Sequence, residues 1–442
     1  MRAARSDPVA WQLALVLLAG LLVRLPLAWL DPHVSADLGL FRGWARVAAE
    51  DGMVAVSITT DVTHYQPIAL YLIGLAGWIE SQLPAVLRRG DAALNALIKL
   101  PSLLADVATA ALLAWALRGH SARTRLRAAA LHVFNPGVWY VSAVWGQLDA
   151  LYTLFLLVAI LSLRAGAVGR TWASYVLALA VKLQTIFQGP LIALGSVLRN
   201  ARAALASAVL ALVVYVLLAA PWWATGHAEE FARASYHRPR LLVVSAYNLW
   251  YLVRLGRVSG ASMHESPLGL PLSYAWFGLL LFVGFGAFVL AIVWRRRDRV
   301  DLALAATLLA IAPFVLLPNI HERYLFPALP LLLLCAAISD QPIVRRQLWC
   351  CYGLLTFTFC YNIVTVASFA PRLWTNLVAL APPYSAHIAV LKVLALIVAA
   401  INVAVLLWLG RVFLLQCRAH TPPGTSTILN VAPRSVQRGA AL

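Results

Sequence analysis

Long, uninterrupted apolar runs constrain this chain more than any other feature of its sequence. The first extends from Val9 to Leu30, and similar runs recur along most of the chain. About 20 apolar residues cross a bilayer as a helix, whereas the strands of a membrane barrel alternate apolar and polar residues. Among the 442 residues, 62% are hydrophobic and 12% are charged, which lies outside the usage of soluble domains. The sequence therefore predicts an all-α polytopic membrane protein with about twelve transmembrane helices.

The charges predict how these helices are oriented. A formal net charge of +18 would suggest nucleic acid as the partner of a soluble protein, but here the positive-inside rule accounts for it. Most of the 35 Lys and Arg residues, and few of the 17 Asp and Glu residues, fall in short turns and termini on one side. We therefore predict a multi-pass protein of the cell membrane with both termini in the cytoplasm, the lipid bilayer as a partner and no nucleic acid. The Ala- and Arg-rich composition favours a bacterial inner membrane.

The same orientation defines the domain organisation. Residues 9–412 are predicted to form one transmembrane domain, in which two long polar loops, 31–97 and 224–268, face the outside. Residues 1–8 are predicted to be a cytosolic N-terminus. Residues 413–442 form a cytosolic tail, and its polar sequence predicts disorder.

The first external loop is predicted to contain two short helices. Apolar residues recur at intervals of three and four between Ser35 and Glu50, which indicates an amphipathic helix capped by Ser35. These residues are Leu38, Phe41, Trp44, Ala45 and Ala48. Pro67–Leu83 is apolar but short, so we expect a helix that lies in the membrane interface.

Asp37 lies at the start of the first of these helices. A carboxylate just above the membrane can take the proton from a hydroxyl as it attacks a sugar carbon. An acid in the first turn of a helix is also favoured by the helix dipole alone. Both explanations fit the sequence.

A polar and aromatic cluster, His64-Tyr65-Gln66, precedes the second helix of the loop. These side chains can line a sugar pocket, with Tyr65 stacking on the sugar and Gln66 hydrogen bonding to it. The alternative is an interfacial aromatic anchor ahead of Pro67, which suits the first turn of a helix.

The third predicted span runs to a break at Asn135-Pro136, and a further polar turn follows Trp145 and Gly146. Gln147 and Asp149 in this turn would face the same aqueous pocket as Asp37. The alternative is that they cap a helix at a tight turn between two spans.

Lys182 and Gln184 lie within the apolar stretch 171–198, which is predicted to go out and back as two short helices broken near Gln188-Gly189-Pro190. A charge inside a membrane is costly, so a functional role or a charged partner is expected. Asp106, on the second predicted span, is the candidate for a structural ion pair with Lys182.

Three ionisable residues, His321-Glu322-Arg323, occur together at the predicted outer start of the tenth span. The N–H groups of a helix N-terminus suit a phosphate, and His321 and Arg323 add donors for the phosphate of a lipid leaving group. The alternative is an interfacial anchor in the lipid headgroups. The grouping of three ionisable residues favours the functional interpretation.

Five segments of the chain occur in the order found in one known family. They are SADLGLFRGWA from Ser35, HYQPIALYL from His64, FNPGVWYVSAVWGQLDAL from Phe134, VKLQTIFQGP from Val181 and HERYLFPALP from His321. On these segments the chain resembles the GT-C glycosyltransferases over roughly residues 10–340. It is most similar to bacterial relatives of the second mannosyltransferase of GPI-anchor assembly and to the dolichyl-phosphate-glucose glucosyltransferases. The departures are His64 and Gln66, because the family has Asp-Tyr-Pro-Pro where this chain has His-Tyr-Gln-Pro, so the role of the family's Asp does not carry over to His64.

The resemblance implies an inverting glycosyltransferase that moves a hexose, most commonly mannose in the family, from a polyprenyl-phosphate donor. The acceptor would be a hydroxyl of a lipid, glycan or protein at the external face. Asp37 would be the catalytic base, and His321, Arg323 and Lys182 would bind the donor phosphate. The other candidates would contact substrate; they are His64, Tyr65, Gln66, Gln147, Asp149, Gln184 and Glu322. We expect no cofactor and no metal.

Three other functions remain open. A flippase or transporter for lipids or lipid-linked sugars would use Lys182 and Asp106 as a translocation pathway, although the polar residues gather on one face only. A polyprenyl-diphosphate glycan ligase or polymerase would need further external cations. The candidates for these are His237, Arg238 and Arg240. A catalytically silent member of the fold would serve as a partner of another enzyme.

Overall fold

The computed structural model describes residues 9–31, 37–60, 65–88, 90–236, 241–257, 261–267, 271–297, 300–367 and 384–418. The regular structure of these residues is helical, apart from one antiparallel bridge between Leu241 and Ser262. The all-α prediction is therefore confirmed for the described part of the chain.

The first half of the chain forms ten α-helices within the described residues. They are α1 (Ala10–Trp29), α2 (Asp37–Asp51), α3 (Met53–Thr59), α4 (Pro67–Gln82), α5 (Ala92–Ala116), α6 (Ala122–Val133), α7 (Pro136–Trp139), α8 (Asp149–Arg164), α9 (Val168–Val181) and α10 (Gly189–Arg199). A π-helix, Tyr140–Trp145, follows α7, and a 3₁₀-helix, Leu183–Gln188, follows α9.

The second half continues with α11 (Ala201–Leu218), α12 (Ala220–Ala224), α13 (Ala228–Tyr236), α14 (Leu249–Val253), α15 (Tyr274–Arg295), α16 (Leu302–Leu316), α17 (Ala328–Ile338), α18 (Pro342–Ala367) and α19 (Tyr384–Arg418). A 3₁₀-helix, Glu322–Leu325, lies between α16 and α17. Two helices extend beyond the predicted limits. α5 begins inside the predicted loop 31–97, and α19 continues into the predicted tail 413–442.

Six helices in the described residues are long and apolar enough to cross a membrane: α1, α5, α11, α15, α18 and α19. α9 and α16 are also apolar but shorter. The chain is thus an all-helical protein with several helices suited to a bilayer, as the long apolar runs predicted.

The predicted amphipathic helix of the first loop is α2. Its apolar face, which includes Phe41 and Trp44, is buried against α4. A Cβ atom on Gly77 of α4 would lie 2.0 Å from the backbone oxygen of Ala45, so only glycine permits this close helix contact. The predicted cap, Ser35, lies outside the described residues.

α5 carries a buried polar stripe on one face. Lys99 Nζ donates to the carbonyls of Leu27 and Leu30, at 3.2 and 2.8 Å, and so satisfies carbonyl groups left at the C-terminus of α1. The stripe consists of Asn95, Lys99, Ser102 and Asp106. It fixes α5 against α1 and against the π-helix.

The predicted interruption at Asn135 and Pro136 is confirmed. The Asn135 side chain accepts a hydrogen bond from Gly137 N at 3.0 Å and begins α7, and the π-helix then ends at Gly146. Gly146 has a φ of +82°, and a Cβ atom there would lie 3.2 Å from both Leu38 and Lys99. A glycine is therefore needed where the chain turns towards α2.

The stretch 171–198 does form two helices, and the second, α10, begins at Gly189 within the predicted break, but the end of the first helix was predicted too late. α9 ends earlier, at Val181, because Lys182 is extended, with φ −151° and ψ 125°. The 3₁₀-helix then leads directly into α10. The backbone change at Lys182 allows its side chain to turn towards α8.

Two short apolar helices form the centre of the bundle. The side chains of α16 and α17 are almost all buried. α16 contacts α8, α15 and α19, and α17 contacts α6 and α18. The segment between them carries the 3₁₀-helix Glu322–Leu325. Arg323 therefore lies on a turn between two buried helices.

Candidate functional site

Asp37 is the first residue of α2, and its side chain is 29% exposed. Its Oδ2 atom accepts hydrogen bonds from Trp145 Nε1 at 3.1 Å and from Gln147 Nε2 at 2.8 Å. Both donors belong to the π-helix and the turn that follows it. The carboxylate is thus held by two neutral donors and still reaches solvent.

The orientation of the Gln147 amide is fixed by a second hydrogen bond. Tyr65 donates its hydroxyl to Gln147 Oε1 at 2.7 Å, which turns the amide NH₂ towards Asp37. Tyr65 is buried and packs edge-on against Phe41 at 5.3 Å between ring centroids. Burial raises the pKa of Tyr65 well above its usual value, so its hydroxyl keeps the proton it donates.

Arg323 brings a positive charge to the same carboxylate. Its NH1 atom lies 3.7 Å from Asp37 Oδ2 and 3.2 Å from Glu322 Oε1, and its guanidinium lies 5.1 Å from the centre of the Trp145 ring. Burial disfavours the charged form, but the two carboxylates outweigh it and raise the pKa of Arg323. Arg323 Nε is buried without a hydrogen-bond partner in the described part of the chain.

Lys182 lies behind this group, in an aromatic cage. Its Nζ atom is 2.8 and 3.0 Å from the two oxygens of Asp149. The rings of Tyr65, Tyr152 and Tyr324 lie 5.6 to 6.0 Å away. The Lys182 and Asp149 side chains are 6% and 0% exposed, so Asp149 does not face an aqueous pocket, contrary to the prediction.

The predicted ion pair between Lys182 and Asp106 is also wrong. Asp106 Oδ2 instead pairs with Arg24 Nε at 3.1 Å, and both side chains are fully buried. Lys182 and Asp106 therefore belong to separate clusters: Lys182 contacts α8, whereas Asp106 contacts α1.

His321 and Glu322 flank the guanidinium on the 3₁₀ turn. His321 is 32% exposed, with Nδ1 3.9 Å from Glu322 Oε2 and 3.4 Å from Ser245 Oγ. Glu322 is 2% exposed, so it faces Arg323 rather than solvent.

Other predicted site residues have different surroundings. Gln66 is buried and accepts a hydrogen bond from Tyr215 on α11. Gln184 is buried against Tyr152. His64 lies outside the described residues. The structure therefore brings together Asp37, Tyr65, Gln147 and Arg323 but does not bring Gln66 or Gln184 to the carboxylate.

Sequence reasoning missed Trp145, which contacts both Asp37 and Arg323. Regular helical spacing gives no signal of this contact, because Trp145 and Gln147 converge only through the π-helix and the turn at Gly146. Among the described residues, no group of three or more His, Cys, Asp or Glu side chains is arranged to hold a metal ion.

The arrangement suits proton acceptance beside a growing negative charge. A partly exposed carboxylate can take a proton from a hydroxyl, and a buried guanidinium with an unpartnered N–H can stabilise an anion. Comparison of the chain with models of known protein families and with curated protein sequences gave no match. The function of the site must therefore be inferred from its residues and their geometry.

Proposed function

We propose that the chain is an inverting glycosyltransferase with a GT-C-like fold of about twelve transmembrane helices. It is a multi-pass protein of the cell membrane with both termini in the cytoplasm, as the charge distribution predicts. It moves a hexose, with mannose the first candidate, from a polyprenyl-phosphate donor to a hydroxyl of a lipid, glycan or protein acceptor. The transfer takes place at the external face.

The observation that carries this proposal is the 3.7 Å approach of Arg323 to Asp37. Asp37 takes the proton of the acceptor hydroxyl while its oxygen attacks the anomeric carbon. The bond from that carbon to the phosphate oxygen breaks, and its electron pair leaves with the lipid phosphate. Arg323 then stabilises the negative charge that grows on this leaving group.

The charges around the site favour a monophosphate donor over a diphosphate. Among the residues that the structure describes, three carboxylates, those of Asp37, Asp149 and Glu322, surround two permanent cations, Arg323 and Lys182. Lys182 is already paired with Asp149 at 2.8 Å, which leaves one guanidinium for the leaving group. The residues that kept the diphosphate alternative open, 237–240, lie outside the described residues.

The flippase alternative loses its main support. That alternative placed Lys182 and Asp106 in one translocation pathway. In the structure, Lys182 is paired with Asp149, and Asp106 is paired with Arg24. Lys182 and Asp106 are therefore neutralised separately and do not form one charged pathway.

A transfer assay tests the proposed function. Purified full-length protein in liposomes would receive radiolabelled polyprenyl-phosphate mannose or glucose, with a membrane-lipid extract as acceptor. Label on a new product supports the proposal. Movement of intact labelled lipid across the bilayer, without transfer, would favour the flippase. The absence of both with several acceptor extracts would count against both functions.

Trp145→Phe should lower the transfer rate without loosening donor binding. The change removes the N–H that donates to Asp37 but keeps an aromatic face for Arg323. A hydrogen bond to a charged group contributes about 1.5–3 kcal/mol, so we expect kcat to fall about tenfold or more. Steady-state kinetics at varied donor concentration would measure kcat and the donor KM. Trp78→Phe, on an exposed side chain of α4, is the matched control. A wild-type kcat in Trp145→Phe would contradict the role of the indole.

His321→Ala should weaken the use of the donor more than that of the acceptor. The partly exposed imidazole stands beside Arg323 and can donate to a donor phosphate. Loss of one such hydrogen bond should raise the apparent donor KM about tenfold. His120→Ala is the control. His120 follows the C-terminal end of α5, and the candidate site lies towards the other end of this helix. An unchanged donor KM, or an equal rise in both KM values, would show that His321 does not bind the donor.

A further inference from the structure

The π-helix Tyr140–Trp145 is held by the buried polar stripe of α5. Ser142 Oγ donates to Asp106 Oδ2 at 2.5 Å. Ser102 Oγ donates to the backbone oxygen of Gln147 at 2.7 Å. The segment that supplies both neutral donors to Asp37 is therefore attached to α5 near its centre, at Ser142, and at its C-terminal end, at Gln147.

A π-helix is a local departure from regular helix geometry, and such departures are often found at functional sites. Here it has a clear geometric effect. The wider turn, followed by Gly146, lets Trp145 and Gln147 point to the same oxygen of Asp37. This convergence would be lost if the segment relaxed to a regular α-helix.

Asp106 itself is fixed by a fully buried ion pair with Arg24 of α1. A buried ion pair is a poor source of stability, because apolar residues of similar size generally stabilise as well or better. The best-supported use of such groups is to fix the register of one element against another. Here that element is the π-helix, through the hydroxyl of Ser142.

We propose that Ser142, anchored by Asp106, is a positioning residue that holds Trp145 and Gln147 against the Asp37 carboxylate. Its catalytic consequence rests on the proposed function, whereas its structural consequence does not. Neither Ser142 nor Asp106 touches the reacting groups; they act through the π-helix. Without the hydroxyl, the segment loses its attachment to α5 near its centre, and both hydrogen bonds to Asp37 weaken.

Hydrogen–deuterium exchange of the full-length protein in lipid nanodiscs tests the structural part. In Ser142→Ala, we expect the amides of residues 140–147 to exchange about tenfold faster, the effect of one lost hydrogen bond to a charged group. Ser142→Thr keeps a hydroxyl and should restore slow exchange. Ser196→Ala is the matched control, because Ser196 is buried and its hydroxyl has no partner within the described residues.

Transfer kinetics test the catalytic part. Ser142→Ala should lower kcat about tenfold at an unchanged donor KM, and Ser142→Thr should recover most of it. Wild-type exchange at 140–147 in Ser142→Ala would overturn the inference whether or not the protein transfers sugar. Faster exchange with a wild-type kcat would overturn the link to Asp37. If the wild-type protein transfers nothing, the proposed function fails, and the exchange result alone decides whether Ser142 holds the segment.

Discussion

Asp37→Asn should abolish sugar transfer while leaving the protein folded. Asparagine keeps one carbonyl oxygen that can accept from Trp145 and Gln147, so the hydrogen bonds that hold α2 against the π-helix persist. It cannot take a proton from a hydroxyl. General base catalysis contributes about 100- to 10,000-fold, and we expect kcat to fall by that factor. The measurement is transfer of label from the donor in liposomes, alongside the thermal midpoint of unfolding.

Asp51→Asn provides the matched control, because Asp51 ends the same helix and its side chain is exposed. This variant should transfer sugar normally. Turnover by Asp37→Asn at the wild-type rate would rule out Asp37 as the base. Loss of activity with a large fall in the thermal midpoint would instead assign Asp37 a role in folding.

Arg323→Gln should have a comparably large effect, on a different part of the reaction. The guanidinium is the only cation close to Asp37 that is not paired with Asp149 within the described residues. Without it, the charge that grows on the leaving phosphate loses its main stabilising group. By analogy with the removal of a transition-state donor, we expect kcat to fall about 100- to 1,000-fold. Single-turnover kinetics with saturating donor would isolate this step.

A control is needed because Arg323→Gln leaves Glu322 buried and unpaired, which is strongly destabilising. The double variant Glu322→Gln with Arg323→Gln removes both charges and should fold as the wild type does. It should be as inactive as the single variant. Arg323→Lys keeps the charge but loses the planar contact with Trp145 and the second N–H, so partial activity is expected. Full activity in the double variant would exclude Arg323 from the stabilisation of the leaving group.

Local patterns in the sequence were sufficient to predict α2 and α4 of the first loop and the turn at Asn135, although they missed α3. The apolar residues of α2 repeat along the helix, and repetition of this kind depends on nothing beyond the segment itself. Asn135 and Pro136 likewise carry their own stop signal, a side-chain cap followed by a residue suited to the first turn. These predictions needed no knowledge of what the segments pack against.

To predict the ion-pair partner of Lys182, one needs to know which helices pack against each other. Asp106 was predicted because it is an acid inside another predicted span, but α8 and α9 form an antiparallel pair joined at Gly166, which has a φ of +74°. Asp149 and Lys182 are almost equidistant from Gly166 along the chain and so face each other. The register of this hairpin could have identified the pair from the sequence.

Trp145 could not be found in this way, because the π-helix changes the spacing on which helical reasoning depends. In a regular α-helix the side chains of Trp145 and Gln147 point about 200° apart, on nearly opposite faces. They converge on Asp37 only because the chain widens before Gly146 and then turns at that residue. The candidate site was thus predictable as a set of segments, but not as a set of contacts.

The burial of α16 and α17 has a consequence for the synthesis of the protein. These helices are enclosed by neighbours from the same chain, and two of those neighbours, α18 and α19, are made last. The 3₁₀ turn between α16 and α17 also packs against α18. A nascent chain that stops before α18 contains Asp37, Trp145, Gln147 and Arg323, but the turn that carries Arg323 still lacks this contact. If the proposed function holds, translation products that lack α18 and α19 are therefore expected to be inactive.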